Sequence, residues 1–205
     1  MAGFLRASAR PAGTADGAVV VKIGGSLASD RPRLTALLAA CADAPAVAVV
    51  PGGGPFADAV RTAQDALGFA DAVAHRLALD AMGRMAEVFQ ALEPRLPRAA
   101  SPEAMAATLE RGGSAIWDPV ALKAGHPDIP ESWDVTSDSL ALWLAGRLGV
   151  ARCVLVKSAP VPPEADAEAL ARAGLVDAAF PRFAAAYSGT ITIHGPDSSR
   201  ERHAA

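Results

Sequence analysis

A short β-branched run that ends in two glycines and a serine constrains this chain most. Residues Val19–Ile23 read Val-Val-Val-Lys-Ile, and Gly24, Gly25 and Ser26 follow directly. A short apolar run bounded by turn residues is typical of an interior strand in a parallel sheet. The glycines leave backbone amides uncovered beside the charge of Lys22, an arrangement that binds anions at the start of a helix. Taken alone, an ordinary strand-to-helix turn with a surface lysine explains the stretch equally well.

The same plan recurs at residues 47–56. A second apolar run, 47–50, leads through Pro51 into three glycines and a helical pattern that starts near Phe56. Two such turns would lie side by side at the carboxyl edge of one parallel sheet, where open α/β sheets bind ligands. Successive glycines cost up to roughly 1 kcal/mol each relative to alanine in regular structure, so a purely structural turn is the weaker explanation. The predicted phosphate-binding residues are Gly24, Gly25, Ser26, Gly52, Gly53 and Gly54.

Composition excludes several classes of protein. Of 205 residues, 51% are hydrophobic, which allows one α/β domain with a full core and excludes a disordered chain. The net charge is −3 with both signs mixed, so we expect no nucleic-acid partner. No apolar run reaches the roughly 20 residues that span a bilayer, and no signal-peptide pattern precedes the first strand. Cys41 and Cys153 lie in apolar stretches, and we expect a cytoplasmic protein without disulfides.

Strands and helices alternate along the chain, which predicts an α/β fold with a mostly parallel sheet covered on both faces. We expect one domain over residues 18–196, between a flexible leader (1–17) and a flexible tail (197–205). A long helix is predicted over residues 69–92, with Leu77, Ala81, Met85, Val88 and Phe89 as its buried stripe. Thr136 or Ser137 is expected to cap a later helix, and two more helices are predicted at 164–173 and 176–187.

Common catalytic motifs are absent from the sequence. It contains no Walker A loop, no dinucleotide-binding fingerprint, no nucleophile elbow and no zinc-ligand spacing. The chemistry must therefore come from the two glycine turns and the side chains that face them, and no metal-ligating residue is assigned.

Three ionisable residues are the candidate catalytic groups. Lys22 and Lys157 each lie at the end of a predicted strand, so both are expected to point into the same crevice. Two cations that converge on a phosphate chain would stabilise the charge that shifts in phosphoryl transfer. Asp138 lies in the first turn of a helix and could hold both lysines or approach a metal ion. A solvated strand end for Lys157 and a helix-dipole residue for Asp138 are the alternatives.

Three further residues are predicted to bind substrate: Arg61, His75 and Ser137. His75 could contact a phosphate, although a single histidine on a helix is more often a structural residue. Arg61 has the same alternative, since arginines are common on the polar side of a helix. Trp117, Trp133 and Trp143 could line a pocket, with core packing as the simpler interpretation.

Three stretches resemble the amino-acid kinase family: Val-Lys-Ile-Gly-Gly-Ser at 21–26, Pro-Gly-Gly-Gly-Pro-Phe-Ala at 51–57 and Thr-Ser-Asp-Ser-Leu-Ala at 136–141. The resemblance implies a three-layer αβα sandwich, with the acceptor in residues 18–133 and the nucleotide in residues 134–196. It also implies ATP and Mg²⁺ as cofactors, a small phosphorylated substrate and a homo-oligomer. Lys22 would stabilise the transferring phosphoryl group, the glycines would supply backbone donors, and Asp138 would organise the site.

Two other stretches, 75–82 and 132–139, are similar to one branch of that family, which serves methanofuran-type cofactor biosynthesis in one-carbon metabolism. This implies a kinase that transfers the ATP γ-phosphoryl group to (5-(aminomethyl)furan-3-yl)methyl phosphate. The chain departs from the family at Lys157 and Ser158, where relatives carry Thr-Asp-Val-Asp-Gly, and we expect the fold to be shortened at its carboxyl-terminal end. A non-catalytic ligand-binding or assembly subunit is therefore the alternative.

Overall fold

The structure is a computed structural model and describes residues 17–196. The predicted tail, and the predicted leader apart from Gly17, lie outside the described residues. The strands are β1 (Val19–Ile23), β2 (Val47–Pro51), β3 (Arg98–Ala99), β4 (Ala115–Trp117), β5 (Arg152–Val156) and β6 (Thr190–His194). The helices are α1 (Arg31–Asp43), α2 (Gly54–Leu67), α3 (Asp71–Leu92), α4 (Pro102–Glu110), α5 (Ser137–Arg147), α6 (Ala167–Arg172) and α7 (Phe180–Ala186), with 3-10 turns at Gly25–Ser29 and Pro119–Ala124.

All six strands of the described residues form one parallel sheet in the order β3-β4-β2-β1-β5-β6. In its register, Ile23 lies opposite Pro51 of β2 on one side and opposite Val156 of β5 on the other. The three central strands therefore end at the same level, which places both glycine turns and Lys157 along one edge. The predicted α/β fold with a parallel sheet is confirmed, with helices on both faces.

Alternate residues of β1 pack into two different apolar cores. Val19, Val21 and Ile23 face a cluster that includes Leu38 of α1. Val20 faces the opposite cluster, which includes Leu140 of α5 and Phe180 of α7. Lys22 is two residues from Val20 in the strand, so both side chains leave the same face of the sheet. The side chain of Lys22 therefore points toward α5, where Asp138 lies.

The predicted buried stripe of α3 is partly wrong. Leu77 is 40% exposed and Val88 is 38% exposed, whereas Ala81, Met85 and Phe89 are buried as expected. Helical spacing shows which residues share a face, but it does not show which face meets the sheet. The buried face of α3 is centred on Leu79, Met82 and Ala86, roughly 100° or more around the helix from Leu77.

The two predicted helices near the carboxyl end are shorter than expected, since α6 and α7 are Ala167–Arg172 and Phe180–Ala186. Asp166 caps α6 through the amide of Ala169, and Gly174 adopts a left-handed φ of 68° directly after it. The connecting residues 173–179 are free of helix and dock on the start of α5, where the amide of Ala179 donates to the carbonyl of Asp134 at 2.8 Å.

Candidate active site

The two glycine turns touch each other at the carboxyl edge of the sheet. The amide of Gly52 donates to the carbonyl of Ile23 at 2.9 Å. A Cβ atom on Gly52 would lie about 2.5 Å from the backbone nitrogen of Gly25, closer than any real side chain allows. Glycine is therefore required at this contact, because the two backbones pack directly on each other. The turns form one surface, as the sequence predicted.

Not every predicted backbone donor is available to a ligand. The amide of Gly24 donates to the carbonyl of Val156 at 3.0 Å, and the amide of Gly52 is bonded to Ile23. The amides of these two residues are thus occupied within the protein, and phosphate binding at Gly24 and Gly52 stays a prediction. Gly25 and Gly54 instead open helical turns, whose first amides have no carbonyl partner within the helix. Gly53, the N-cap of α2, stands between them.

Lys22, Asp138 and Lys157 form a buried ionic cluster beside the turns. Nζ of Lys22 lies 2.9 Å from Oδ1 of Asp138, and Nζ of Lys157 donates to both Asp138 oxygens at 2.7 Å. The side chains are 6%, 7% and 11% exposed respectively. One carboxylate thus holds two ammonium groups in place, and the cluster keeps one net positive charge. The sequence placed these residues in one crevice, and the geometry agrees.

The cluster shifts the ionisation of its own members. Burial by itself would raise the pKa of Asp138, but the adjacent charges of Lys22 and Lys157 outweigh it and hold that pKa below its ordinary value. Burial lowers the pKa of Lys157 to about 8, and the charge of Lys22 acts in the same direction against the attraction of Asp138. Near neutral pH the site therefore holds an ionised carboxylate and a lysine close to its titration point.

Two cavities open at this edge of the sheet. The first, called the glycine cavity here, has a volume of about 220 Å³. Its lining includes Gly25, Gly52, Gly53, Gly54, Arg61, His75, Trp133 and Ser137. The second, called the lysine cavity, measures about 390 Å³, and its lining includes Lys22, Gly24, Ser26, Asp138, Lys157, Ser158 and Asp177. The predicted site residues thus divide between two neighbouring spaces.

Arg61 and Trp133 line both cavities and mark the boundary between them. The guanidinium carbon of Arg61 lies 4.3 Å from the centroid of the Trp133 ring, and Arg61 also pairs with Asp58 at 3.1 Å. The indole nitrogen of Trp133 donates to Gln64. Stacking and ion pairing together hold the guanidinium at the junction of the two spaces. Trp117 and Trp143 are instead buried in the core, as the simpler interpretation expected.

His75 is a buried side chain of α3 in the wall of the glycine cavity. It is 4% exposed, and its Nδ1 lies 3.1 Å from the carbonyl oxygen of Ser132. Burial lowers the pKa of His75, and this outweighs the opposing effects of the Ser132 carbonyl and of the Glu131 charge. The imidazole is therefore neutral at physiological pH.

Asp177 is a site residue that sequence reasoning missed. Its carboxylate accepts hydrogen bonds from the backbone amides of Thr136 and Ser139, both at 3.0 Å, and from both hydroxyl groups. The carboxylate thus caps α5 from another part of the chain and fixes the turn that carries Asp138. Thr136 occupies the N-cap position as predicted, but its side chain makes no capping bond.

Asp177 is also electrically coupled to the cluster. Burial raises the pKa of Asp177, the charge of Asp138 adds to that effect, and the bonds from Ser139 and Thr136 oppose it. No local pattern could have indicated this contact, because 38 residues separate Asp177 from Ser139. Ser158, which was also missed, lies with its hydroxyl oxygen 2.6 Å from that of Ser26 at the edge of the lysine cavity.

Within residues 17–196, no group of three or more His, Cys, Asp or Glu side chains could hold a metal ion. None of the helices in the same range has the length and apolar character needed to cross a bilayer.

Comparison with known proteins agrees with this architecture. Residues 17–111, which carry both glycine turns and Lys22, match the model of the Amino acid kinase family. The matched segment runs from β1 to α4 and includes Arg61 and His75, whereas Asp138 and Lys157 lie beyond it.

One curated protein to which this chain is similar is the [5-(aminomethyl)furan-3-yl]methyl phosphate kinase of Methanocaldococcus jannaschii. It is 31% identical over 138 residues, and the match spans 66% of this chain. The chain covers 63% of the length of that relative, slightly less than two thirds.

Solved structures with the same fold include two nucleotide kinases. The uridylate kinase of Archaeoglobus fulgidus has a TM-score of 0.63 at 15% identity, covering 86% of this chain and 89% of its own. The UMP kinase of Ureaplasma parvum gives 0.62 at 15% identity, covering 87% and 89%. At these identities the likeness concerns the fold alone, and it confirms the predicted three-layer α/β architecture.

Proposed function

We propose that this protein is an ATP-dependent small-molecule kinase that transfers the γ-phosphoryl group to a phosphomonoester. The buried cluster of Lys22, Asp138 and Lys157, at the contact between two glycine turns, carries this proposal. It concentrates positive charge and uncovered amides where two cavities meet. The family match and the kinase relative from M. jannaschii support the same reaction class.

In the proposed reaction, an oxygen of the acceptor phosphate attacks the γ-phosphorus of ATP. A new P–O bond forms, the bond from the γ-phosphorus to the β,γ-bridging oxygen breaks, and its electron pair leaves with ADP. No proton has to be removed when the attacking oxygen is already ionised. The ammonium groups of Lys22 and Lys157 and the free amides at Gly25 and Gly54 stabilise the charge of the transferring group. Asp138 holds both lysines and contributes through them.

The lysine cavity is the proposed position of the ATP phosphates. Its two ammonium groups and the adjacent glycine turn suit a polyphosphate, and its 390 Å³ volume is within the range of ligand sites. Mg²⁺ usually binds substrate phosphates and keeps several waters, and it would neutralise phosphate charge when bound. Both oxygens of Asp138 are bonded to lysines, so we assign the metal to the nucleotide and to no residue of this chain.

The glycine cavity is the proposed acceptor site, with Arg61, Ser137 and the glycine amides as phosphate ligands. Arg61 lies at the junction with the lysine cavity, where an acceptor phosphate has to meet the donor. By the 31% identity to the M. jannaschii enzyme, we infer (5-(aminomethyl)furan-3-yl)methyl phosphate as the acceptor and a role in methanofuran-type cofactor biosynthesis. The apolar side chains of Leu79, Met82 and Leu140 also line this cavity, and the furan ring of that acceptor could pack against them.

Phosphoryl transfer to a panel of phosphomonoesters tests the proposal. With ATP and Mg²⁺, the aminomethylfuran phosphate is expected to yield ADP and the corresponding diphosphate, identified by ³¹P NMR. ATP without acceptor measures background hydrolysis. Acceptor binding without any ADP formation would instead identify the non-catalytic subunit that the sequence left as the alternative.

The reaction is expected to slow as the pH rises through about 8. Lysine is charged below its pKa, and Lys157 titrates at about 8, so it loses its positive charge above that pH. We expect kcat at pH 9.5 to be about thirtyfold lower than at pH 7, measured at saturating substrates, because the charged fraction of Lys157 falls by that factor. Arginine stays charged throughout this range, so the decrease in kcat above pH 8 should be absent in Lys157→Arg. An identical decrease in that variant would assign the titration to another group.

The exposed apolar residues of α3 support an assembly of several copies. Val73, Leu77 and Val88 are each 38–40% exposed and lie on one side of the helix. Apolar side chains grouped on one surface often mark a protein interface. We infer a homo-oligomer that uses this side of α3 and acts in the cytoplasm.

A further inference from the structure

The glycine cavity contains one polar atom that the proposed transfer does not use, Nε2 of His75. Only Nδ1 of this ring has a hydrogen-bond partner within residues 17–196. Over the same range, the side-chain nitrogens sealed from solvent without a partner belong to Trp117 and Trp143. Nε2 is therefore not sealed, and the glycine cavity, which His75 lines, is the space available to it.

The contact with Ser132 decides which ring nitrogen carries the proton. A carbonyl oxygen can only accept a hydrogen bond, so Nδ1 of His75 has to donate. Because burial keeps the imidazole neutral, Nε2 then has no proton and offers a lone pair. The group that His75 presents to the cavity is thus a hydrogen-bond acceptor.

The glycine turns offer groups of the opposite character, since their backbone amides are donors and suit phosphate oxygens. The carboxylate of Asp58 also lines the cavity, but it is paired with Arg61 at 3.1 Å. A Cβ atom on Gly53 would touch Ala81 at 3.5 Å, which places that turn roughly 9 Å along α3 from His75. The glycine amides and the histidine acceptor are thus separated by the length of a small molecule, and apolar Leu79 and Met82 line the same cavity.

We propose that Nε2 of His75 accepts a hydrogen bond from a protonated primary amine of the acceptor, so that the cavity selects phosphomonoesters that carry such an amine. The inference rests on the proposed function, because it assigns the phosphate to the glycine turns. In (5-(aminomethyl)furan-3-yl)methyl phosphate the ammonium is the strong hydrogen-bond donor, and it lies across the ring from the phosphate. The contact between His75 and a phosphate that the sequence left open is disfavoured, since both groups would be acceptors.

Binding measured by calorimetry without ATP tests the amine contact independently of catalysis. The probes are the aminomethylfuran phosphate and its analogue with a methyl group in place of the aminomethyl group. Wild-type protein is expected to bind the amine at least about tenfold more tightly, the effect of one hydrogen bond to a charged group. His75→Asn keeps a donor for the carbonyl of Ser132 but has no acceptor at the position of Nε2. This variant should bind both probes with similar affinity. His75→Gln, which places an amide near the Nε2 position, should recover part of the preference.

The outcomes separate this inference from the kinase proposal. A wild-type preference for the amine that His75→Asn abolishes supports the inference, even if no ADP is ever formed. Equal binding of the two probes by the wild type overturns the inference, and ADP formation could still establish the kinase. An equal loss of affinity for both probes in His75→Asn also overturns it, because the residue would then be structural.

Discussion

Replacing Lys22 with alanine is expected to reduce kcat by about a thousandfold while the KM for the acceptor changes less than about threefold. In the proposed site Lys22 stabilises charge that develops in the transition state. Removing one such donor typically lowers the rate by about 10²–10³-fold. We expect the upper end of this range because the substitution also removes a full positive charge. The fold should survive, since Asp138 keeps both contacts with Lys157 at 2.7 Å. Steady-state kinetics and a thermal unfolding curve measure the two effects.

Lys123→Ala is the matched control for this substitution. Lys123 also pairs with an aspartate, Asp80, at 2.7 Å, but its side chain is 38% exposed and the pair lies outside both cavities. Exposed pairs contribute about 0–1 kcal/mol to stability, so this variant should retain wild-type activity. Activity in Lys22→Ala above one tenth of the wild-type value would remove Lys22 from the mechanism.

Replacing Gly52 with alanine should disrupt both glycine turns at once. The added methyl group would lie about 2.5 Å from the nitrogen of Gly25, and backbone on both sides has to move to relieve that contact. Overpacking of this kind costs about 1–3 kcal/mol in unfolding free energy. A displacement near 1 Å in a catalytic site reduces the rate by about a hundredfold. Denaturant unfolding and kcat/KM measure these losses.

Gly146→Ala tests whether any added methyl group would act in the same way. Gly146 lies near the end of α5, is exposed, and has open space where a Cβ would be placed. Alanine there should leave kcat/KM unchanged and raise the unfolding free energy by up to about 1 kcal/mol. Wild-type activity in Gly52→Ala would show that the contact between the turns is not needed for the reaction.

The sequence predicted much of the site because its main parts are local. A β-branched run followed by glycines specifies both a buried strand and an uncovered turn within about eight residues. Lys22 and Lys157 could be placed in one crevice because side chains at the carboxyl ends of neighbouring parallel strands converge.

Other parts of the site were beyond the sequence, since they depend on which surfaces meet. Helical spacing indicated which residues of α3 share one side of the helix, but not which side faces the sheet. Leu77 and Val88 were expected to be buried and are exposed. Gly24 and Gly52 belong to the predicted phosphate-binding turns, and only the structure shows that neighbouring strands accept from their amides. Both findings concern a partner that is distant along the chain.

The sequence alone therefore determined the strands, the glycine turns and the identities of the charged residues, because propensity and backbone freedom are properties of short segments. The tertiary structure alone decided that Asp177 caps the helix of Asp138 and that His75 offers a lone pair. It also selected, among the roles open for Asp138, the one in which this carboxylate holds both lysines. A hydrogen bond depends on where two groups meet in space. In the candidate active site such groups lie as much as 132 residues apart along the chain, as Ser26 and Ser158 do.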